Sequence, residues 1–166
     1  MQYQAQMMRV LGQLEEAEKV FNQALPAFQA ITGGKDHYDI ARILREQALI
    51  LWEKGHQETA LKKLEEAMGM QERVYGESYL FQPTVAATYR ILGDFRQKRR
   101  EFVKADQAYQ KAIAVNQAIY QTEVHPYLAD LYHLRSEVLF AQGKTALAKK
   151  MKREAQKIQE LLKQSS

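Results

Sequence analysis

Alanines recur along this chain at a spacing that few folds accommodate. Ala17, Ala60, Ala105 and Ala148 stand 43, 45 and 43 residues apart. Each closes a similar segment: Gly12–Ala17, Gly55–Ala60, Arg100–Ala105 and Gly143–Ala148. Three of these four segments begin with glycine. Seven residues later a second alanine follows each one, at Ala24, Ala67, Ala112 and Ala155. Upstream, Ala41, Ala86 and Ala129 recur at 45 and 43 residues, just after His37, Gln82 and His125. A fixed period of this length marks a chain built by stacking copies of one supersecondary unit. The register predicts four units, near 1–36, 37–80, 81–124 and 125–163, forming a single repeat domain over 1–166.

Within a unit the apolar residues follow a helical period. Ile40, Leu44, Ala48 and Leu51 make one stripe, and Leu61, Leu64, Ala67 and Met68 make the next. Gly55 between them supplies the left-handed residue that ends a helix. Ala60 and Ala67 let two helix axes approach closely. His125-Pro126 reads as a helix start, because proline at the first position forfeits no hydrogen bond. The pattern predicts helices near 1–11, 13–31, 38–54, 57–75, 82–99, 101–120, 126–142 and 144–163. Pro26 is expected to kink the second of these or end it early.

Composition agrees with an all-helical reading. With 8 Gly and 3 Pro in 166 residues, the chain lacks the frequent turns of an all-β fold. The absence of cysteine excludes disulfide scaffolds, thiolate metal sites and cysteine nucleophiles. Neither a secretory leader nor a long apolar run is visible, and a cytoplasmic location is expected.

The residues Gly55 and Ala60, with Leu64 and Ala67, resemble the latter half of a tetratricopeptide repeat. Leu44, Ala48 and Leu51 resemble its first half, and Tyr89, Gly93, Ala105, Tyr109 and Ala112 match the same signature in the third unit. The period exceeds the usual 34 by about two helical turns. Gly34–Ala41 and Glu72–Gly76 are similar to the longer, kinesin-light-chain-type subclass. The resemblance covers essentially the whole chain and implies an all-α fold, a right-handed α-solenoid of about four antiparallel helix pairs. Its signature residues are packing residues, so it says little about function.

The two ends read differently. Met1, Ala5 and Met8 fall where the first helix of unit one belongs, with its opening turn missing. Leu147, Met151, Ile158 and Leu161 form one apolar face of the last helix, opposite Lys149, Lys150, Arg153 and Lys157. That pattern, followed by Lys163-Gln-Ser-Ser, is expected of a terminal cap. At the other end the apolar edge of Met1, Met8 and Leu11 invites another copy or a further part of the array.

No catalytic motif is present: neither a glycine-rich phosphate loop, nor Gly-x-Ser-x-Gly, nor His-Glu-x-x-His. The spacing of His125, Asp130 and His133 does not place all three on one helix face, which argues against a metal site. A non-catalytic role is expected, without metal or cofactor.

Stacked helix pairs offer a groove lined by the first helix of each unit, suited to a peptide segment. The alanine register assigns Arg42, Arg45, Leu49 and Trp52 to that face in unit two. It assigns Arg90, Asp94 and Gln97 in unit three, and Asp130, His133, Glu137 and Phe140 in unit four. Arg42, Arg45 and Arg90 form a basic centre suited to carboxylates, while Asp130 and Glu137 place opposite charge toward the C-terminal end. The partner expected is a protein or peptide with acidic residues and an apolar anchor. Two competing readings apply here: Arg45 and Arg90 pair with Glu46, Asp94 or carboxylates of neighbouring units as ordinary ion pairs, and Trp52 packs between units rather than facing a ligand.

The inner helices lack the asparagines of the family's known ligand sites. Arg45 with Leu49, and Arg90 with Asp94, stand where chaperone-tail binders carry a lysine/asparagine carboxylate clamp. Glu46-Gln47, Ile91-Leu92 and Leu134-Arg135 stand where the kinesin-light-chain type carries paired asparagines. The known ligands therefore do not transfer with the fold.

Charge is unevenly spread. Residues 1–89 hold 9 basic and 12 acidic groups, whereas residues 90–166 hold 15 basic and 8 acidic. The excess gathers at Arg96, Lys98, Arg99, Arg100 and Lys104 and along the last helix. Such a patch suits RNA, DNA or an anionic surface. It lacks a row of exposed aromatics for base stacking, so nucleic acid is the weaker reading.

Overall fold

A computed structural model describes residues 2–121 and 124–164. Met1, Ser165 and Ser166, to which parts of the expected terminal features fall, lie outside the described residues. The chain divides into two compact units, Met1–Gly76 and Glu77–Ser166. The first holds α1 (Gln2–Val10), α2 (Leu14–Ile31), α3 (Tyr38–Glu53) and α4 (Gln57–Tyr75). The second holds α5 (Pro83–Lys98), α6 (Phe102–Tyr120), α7 (Pro126–Ala141) and α8 (Thr145–Gln164). A short 3₁₀ turn, Gly76–Phe81, precedes α5 and has no counterpart in the helices expected from the sequence. Within each unit every helix packs on its neighbours in the chain.

The helix starts follow from local chemistry. His37 and His125 take extended backbone, and the Nδ1 of each accepts a hydrogen bond from the backbone N–H two residues on, at 3.1 Å from Asp39 and 3.3 Å from Tyr127. This satisfies one of the N–H groups that a helix start leaves without a partner. Pro83 and Pro126 occupy the first turns of α5 and α7.

The first helix of each pair ends on a residue of positive φ: Gly12 (79°), Gly55 (87°), Arg100 (62°) and Gly143 (75°). At Gly55 the chain closes with His56 N–H donating to Leu51 C=O at 2.8 Å. At Arg100 the same closure recurs, Glu101 N–H donating to Arg96 C=O at 2.9 Å, but on a side chain that resists this backbone conformation.

Small residues set the distance between paired helices. Ala5, Ala48, Gly93 and Ser136 share one register position and are all buried. Ala17, Ala60, Ala105 and Ala148 answer from the partner helices, each with no exposed surface. In the first unit Phe21 and Ile50 fill the space between Ala5, Ala17 and Ile43. Ile40 and Leu44 pack on Ala67 with Leu25, Phe28 and Met70 around them. Burying a side chain such as Phe21 is worth about 1.5–3 kcal/mol. In the second unit Leu139, Ala148 and Met151 pack beside Tyr132.

Two local expectations are corrected. α2 does not end early at Pro26; it runs on to Ile31. Pro26 is exposed, while Leu25 and Phe28 beside it pack into the core, so tertiary packing outweighs the lost backbone hydrogen bond. On α8, Leu147 is 38% exposed, and Ala148 takes the buried place that the apolar stripe assigns to it.

Candidate functional site

The first helices of the pairs carry the residues predicted for the groove, and α3 presents them in the first unit. Arg42 donates to Asp39 at 2.6 Å, and its guanidinium lies 5.8 Å from the Tyr3 ring centroid. Arg45 donates to Glu46 at 3.2 Å. Glu46 is 4% exposed and also accepts from Gln6 on α1 at 3.0 Å, with Arg9 Nε 3.4 Å away. Arg9 reaches on to Glu53 at 2.6 Å. The guanidinium groups of Arg9, Arg42 and Arg45 thus face the carboxylates of Asp39, Glu46 and Glu53, and the α3 part of the expected basic centre, Arg42 and Arg45, is largely neutralised from within. Leu49 is half-buried and Trp52 is buried at 8% exposure. Gln6, Arg9 and Glu53 are not among the residues predicted for this face. Subtracting one 43-residue period from α3 places Gln6 and Arg9 level with Leu49 and Trp52, and that is the signal that would find them.

In the second unit the face is built by α5 and α7, with Tyr109 of α6 behind it. Tyr109 is fully buried, and its hydroxyl lies 2.8 Å from Asp94 Oδ1 and 2.7 Å from Gln97 Oε1. One hydroxyl proton serves only one of these acceptors at a time. Burial pushes the Asp94 carboxyl above its usual range, against the Tyr109 hydrogen bond and the charges of Arg90 and Lys98. Burial and the adjacent Asp94 likewise push the Tyr109 phenol well up. Gln97 Nε2 donates across to Glu137 of α7 at 3.2 Å, and His133 Nε2 lies 3.5 Å from the other Glu137 oxygen. Phe140, one turn further along α7, is 44% exposed, and Asp130 is exposed. Four of the predicted residues, Asp94, Gln97, His133 and Glu137, therefore meet in one polar chain, and the charge of Arg90 acts on Asp94. Tyr109, which organises that polar chain, reads in the sequence only as a packing residue.

The basic run between α5 and α6 is gathered around one carboxylate. Glu101 accepts from Arg96 and Arg99, each at 2.6 Å, and Lys104 Nζ lies 3.3 Å away. Desolvation would raise its pKa, but hydrogen bonds from Arg99, Arg96 and Lys104 outweigh this and hold it at about 2. Lys149, Lys150, Lys152, Arg153 and Lys157 are exposed along α8. In the first unit a cleft of about 180 Å³ opens between α2, α3 and α4, lined by Glu18, Asn22, Gln47, Leu51 and Lys63. It is smaller than the usual small-molecule pocket. Among the described residues no helix is long and apolar enough to cross a membrane.

Paired helices at a fixed period define an all-α repeat protein of the α-solenoid class. Residues 1–73 match the family model for the tetratricopeptide repeat. The structure is similar to BtubC (BKLC) from P. vanneervenii, with a TM-score of 0.83 and 21% identity over 96% of this chain and 61% of that one. It is also similar to a Podosopora anserina protein described as a kinesin light chain with nearly identical TPR-like repeats. There the TM-score is 0.70 at 21% identity, over 93% of this chain and 71% of that one. A point variant of that protein gives 0.74 at 21% identity, over 96% and 73%. At this identity the likeness concerns the fold. The chain spans about three-fifths of the length of BtubC. No curated protein matches the sequence.

Proposed function

We propose that this chain is a non-catalytic protein-interaction module that takes a peptide segment of a partner along the inner face of its first helices. Solenoids of paired helices commonly serve protein–protein interaction through such faces. The observation that supports this reading best is the Gln97–Glu137 hydrogen bond at 3.2 Å. It aligns the polar residues of α5 and α7 beside the exposed ring of Phe140. Polar groups that fix a chain's path, next to an apolar anchor, are what recognition of an extended segment requires. Arg90 supplies positive charge to that strip. Arg42 and Arg45 supply it in the first unit, where a partner carboxylate competes with Asp39 and Glu46. The fitting segment carries an apolar side chain for Phe140 and acidic residues for the arginines.

Peptide display against the whole chain tests this, run in parallel on Arg90→Glu and Phe140→Asp, whose melting temperatures serve as folding controls. Enrichment of acidic-plus-apolar peptides that both substitutions abolish supports the reading. Enrichment that ignores them moves recognition elsewhere. A second reading, binding of nucleic acid or an anionic surface, draws on the exposed lysines and arginine of α8. Phosphate binding there would weaken log-linearly with salt, whereas an apolar-anchored peptide would respond less.

A further inference from the structure

The cleft between α2, α3 and α4 has a counterpart in the second unit, and the two are filled differently. Ala105 lies 88 residues after Ala17, and Ala148 lies 88 after Ala60. The same step carries the cleft residues Glu18, Asn22, Gln47, Leu51 and Lys63 onto Asp106, Gln110, Arg135, Leu139 and Met151 of α6, α7 and α8. There a guanidinium occupies the centre. Arg135 Nε donates to Asp106 Oδ1 at 2.6 Å, and its Nη1 lies 3.5 Å from Met151 Sδ. Gln110 Nε2 donates to the other Asp106 oxygen at 2.8 Å, while Leu139 and Met151 pack together beside them. In the first unit the carboxylate and the carboxamide are kept as Glu18 and Asn22, but the arginine is replaced by the shorter Gln47.

That replacement leaves an acceptor without a donor. Gln47 is 7% exposed, and its Nε2 donates to Asn22 Oδ1 at 2.8 Å, but its Oε1 is buried with no hydrogen-bond partner. A buried acceptor left unpaired carries its full desolvation cost, and this one borders about 180 Å³ of open space. Lys54 donates to Glu18 Oε2 at 2.7 Å and lies 3.9 Å from Glu15, which leaves Glu18 Oε1 for an incoming donor. Lys63 Nζ stands 3.9 Å from Glu66 on its own helix, so its methylene stem takes the place of Met151 along the wall. The charged residues of the cleft and their ion partners are Glu15, Glu18 and Glu66 against Lys54 and Lys63, an excess of one negative charge.

We infer that this cleft is a binding site for one guanidinium group, an arginine side chain presented by a partner protein, with Glu18 in the role of Asp106 and Gln47 Oε1 as a second acceptor. The group enters from solvent instead of from α3 and completes the arrangement that Arg135 completes in the second unit. A guanidinium donates from a planar fork to several acceptors at once, whereas an ammonium is a compact and more strongly hydrated charge. The size fits as well. At about 30 Å³ for each water, the cleft holds about six waters, which is room for the end of one side chain and not for a larger ligand. None of the five lining residues belongs to the face proposed above for an acidic and apolar segment, and a cationic side chain is the opposite demand. The two sites therefore stand or fall separately.

The test titrates the tripeptide acetyl-Gly-Arg-Gly-amide into the 166-residue chain while NMR follows the side-chain amide signals of Gln47 and Asn22. The same tripeptide with lysine, and with citrulline, which keeps the shape of arginine without its charge, are titrated in parallel. The arginine peptide shifts both amides saturably. The citrulline peptide binds about tenfold more weakly, as expected for loss of a charge-assisted hydrogen bond, and the lysine peptide also binds more weakly than arginine. Glu18→Gln weakens the arginine peptide by about tenfold. Gln47→Arg fills the cleft from within, as Arg135 does, so it abolishes the shift at Asn22 without lowering the melting temperature. If that variant fails to fold, Glu18→Gln decides alone. Absence of a saturable shift overturns the inference, because the cleft then holds water only. So does lysine or citrulline binding as tight as arginine, or arginine binding that Glu18→Gln leaves unchanged or that persists in folded Gln47→Arg.

Discussion

Gly93 of α5 lies against the ring of Tyr109 of α6 so closely that a Cβ on the glycine would stand 2.3 Å from Cε1 and 2.6 Å from Cδ1. The contact is between a helix backbone and the flat of a buried ring, and it fixes the separation of the pair. Tyr109 has no exposed surface, and its hydroxyl is held at Asp94 and Gln97, so it has no free rotamer to yield. Gly93→Ala should destabilise by about 1–3 kcal/mol through overpacking, despite alanine's better helix propensity. Urea denaturation measures it. In a Tyr109→Ala background the cost should vanish, and a cost that persists would place its origin elsewhere than this ring.

Arg100 does a glycine's work without a glycine's freedom. It closes α5 at φ 62°, where Gly12, Gly55 and Gly143 close the corresponding helices. A left-handed residue bearing a Cβ costs roughly 1–2 kcal/mol, offset in part because glycine loses more entropy on folding. Arg100→Gly should therefore stabilise by about 0.5–1 kcal/mol. Its melting temperature should rise by a few degrees, and an unchanged or lower value would contradict this account.

His125 caps α7 through an Nδ1 lone pair, accepting from Tyr127 N–H at 3.3 Å, with its ring stacked 3.9 Å from Tyr120. Removing such a cap costs about 0.5–2 kcal/mol. His125→Ala should speed hydrogen exchange in the first turn of α7. Asn, which accepts in the same way, should restore the exchange in that turn. If His125→Asn exchanges as fast as His125→Ala, the stacking on Tyr120 matters more than the cap.

Asp94 and Glu101 should move stability with pH in opposite senses. Glu101, held at about 2 against an ordinary 4.5, contributes stability that is full above 4.5 and lost as pH falls toward 2. Asp94 is raised above 3.8 by burial, so its ionised form costs stability, and that cost is relieved as pH falls through its folded value. Glu101→Gln should lower the melting temperature at pH 7, with an effect that shrinks below pH 4.5. Asp94→Asn keeps an acceptor for Tyr109 and should raise the melting temperature at pH 7, with the gain fading in acid. Melting curves of both variants from pH 2.5 to 7 check the two signs.

Some of the molecule was legible in residue order alone. Ala17, Ala60, Ala105 and Ala148 repeat because each separates one helix pair, and a packing constraint repeated in space must repeat in sequence. The helices, their starts at His37, Pro83 and His125, and the glycine closures are local events, governed by backbone conformation within a few residues. Period and local chemistry together were enough for the fold class. Only the tertiary structure decided which side chains face one another. Arg45 pairs with Glu46, yet Glu46 is also claimed by Gln6, which lies 40 residues away. Gln97 finds Glu137 across another 40, and Trp52 is buried although its register position matches the exposed Phe140. A period gives each residue a place on its helix. Which partners it meets there depends on the exact identities across the packing interface, and those vary from unit to unit while the spacing does not.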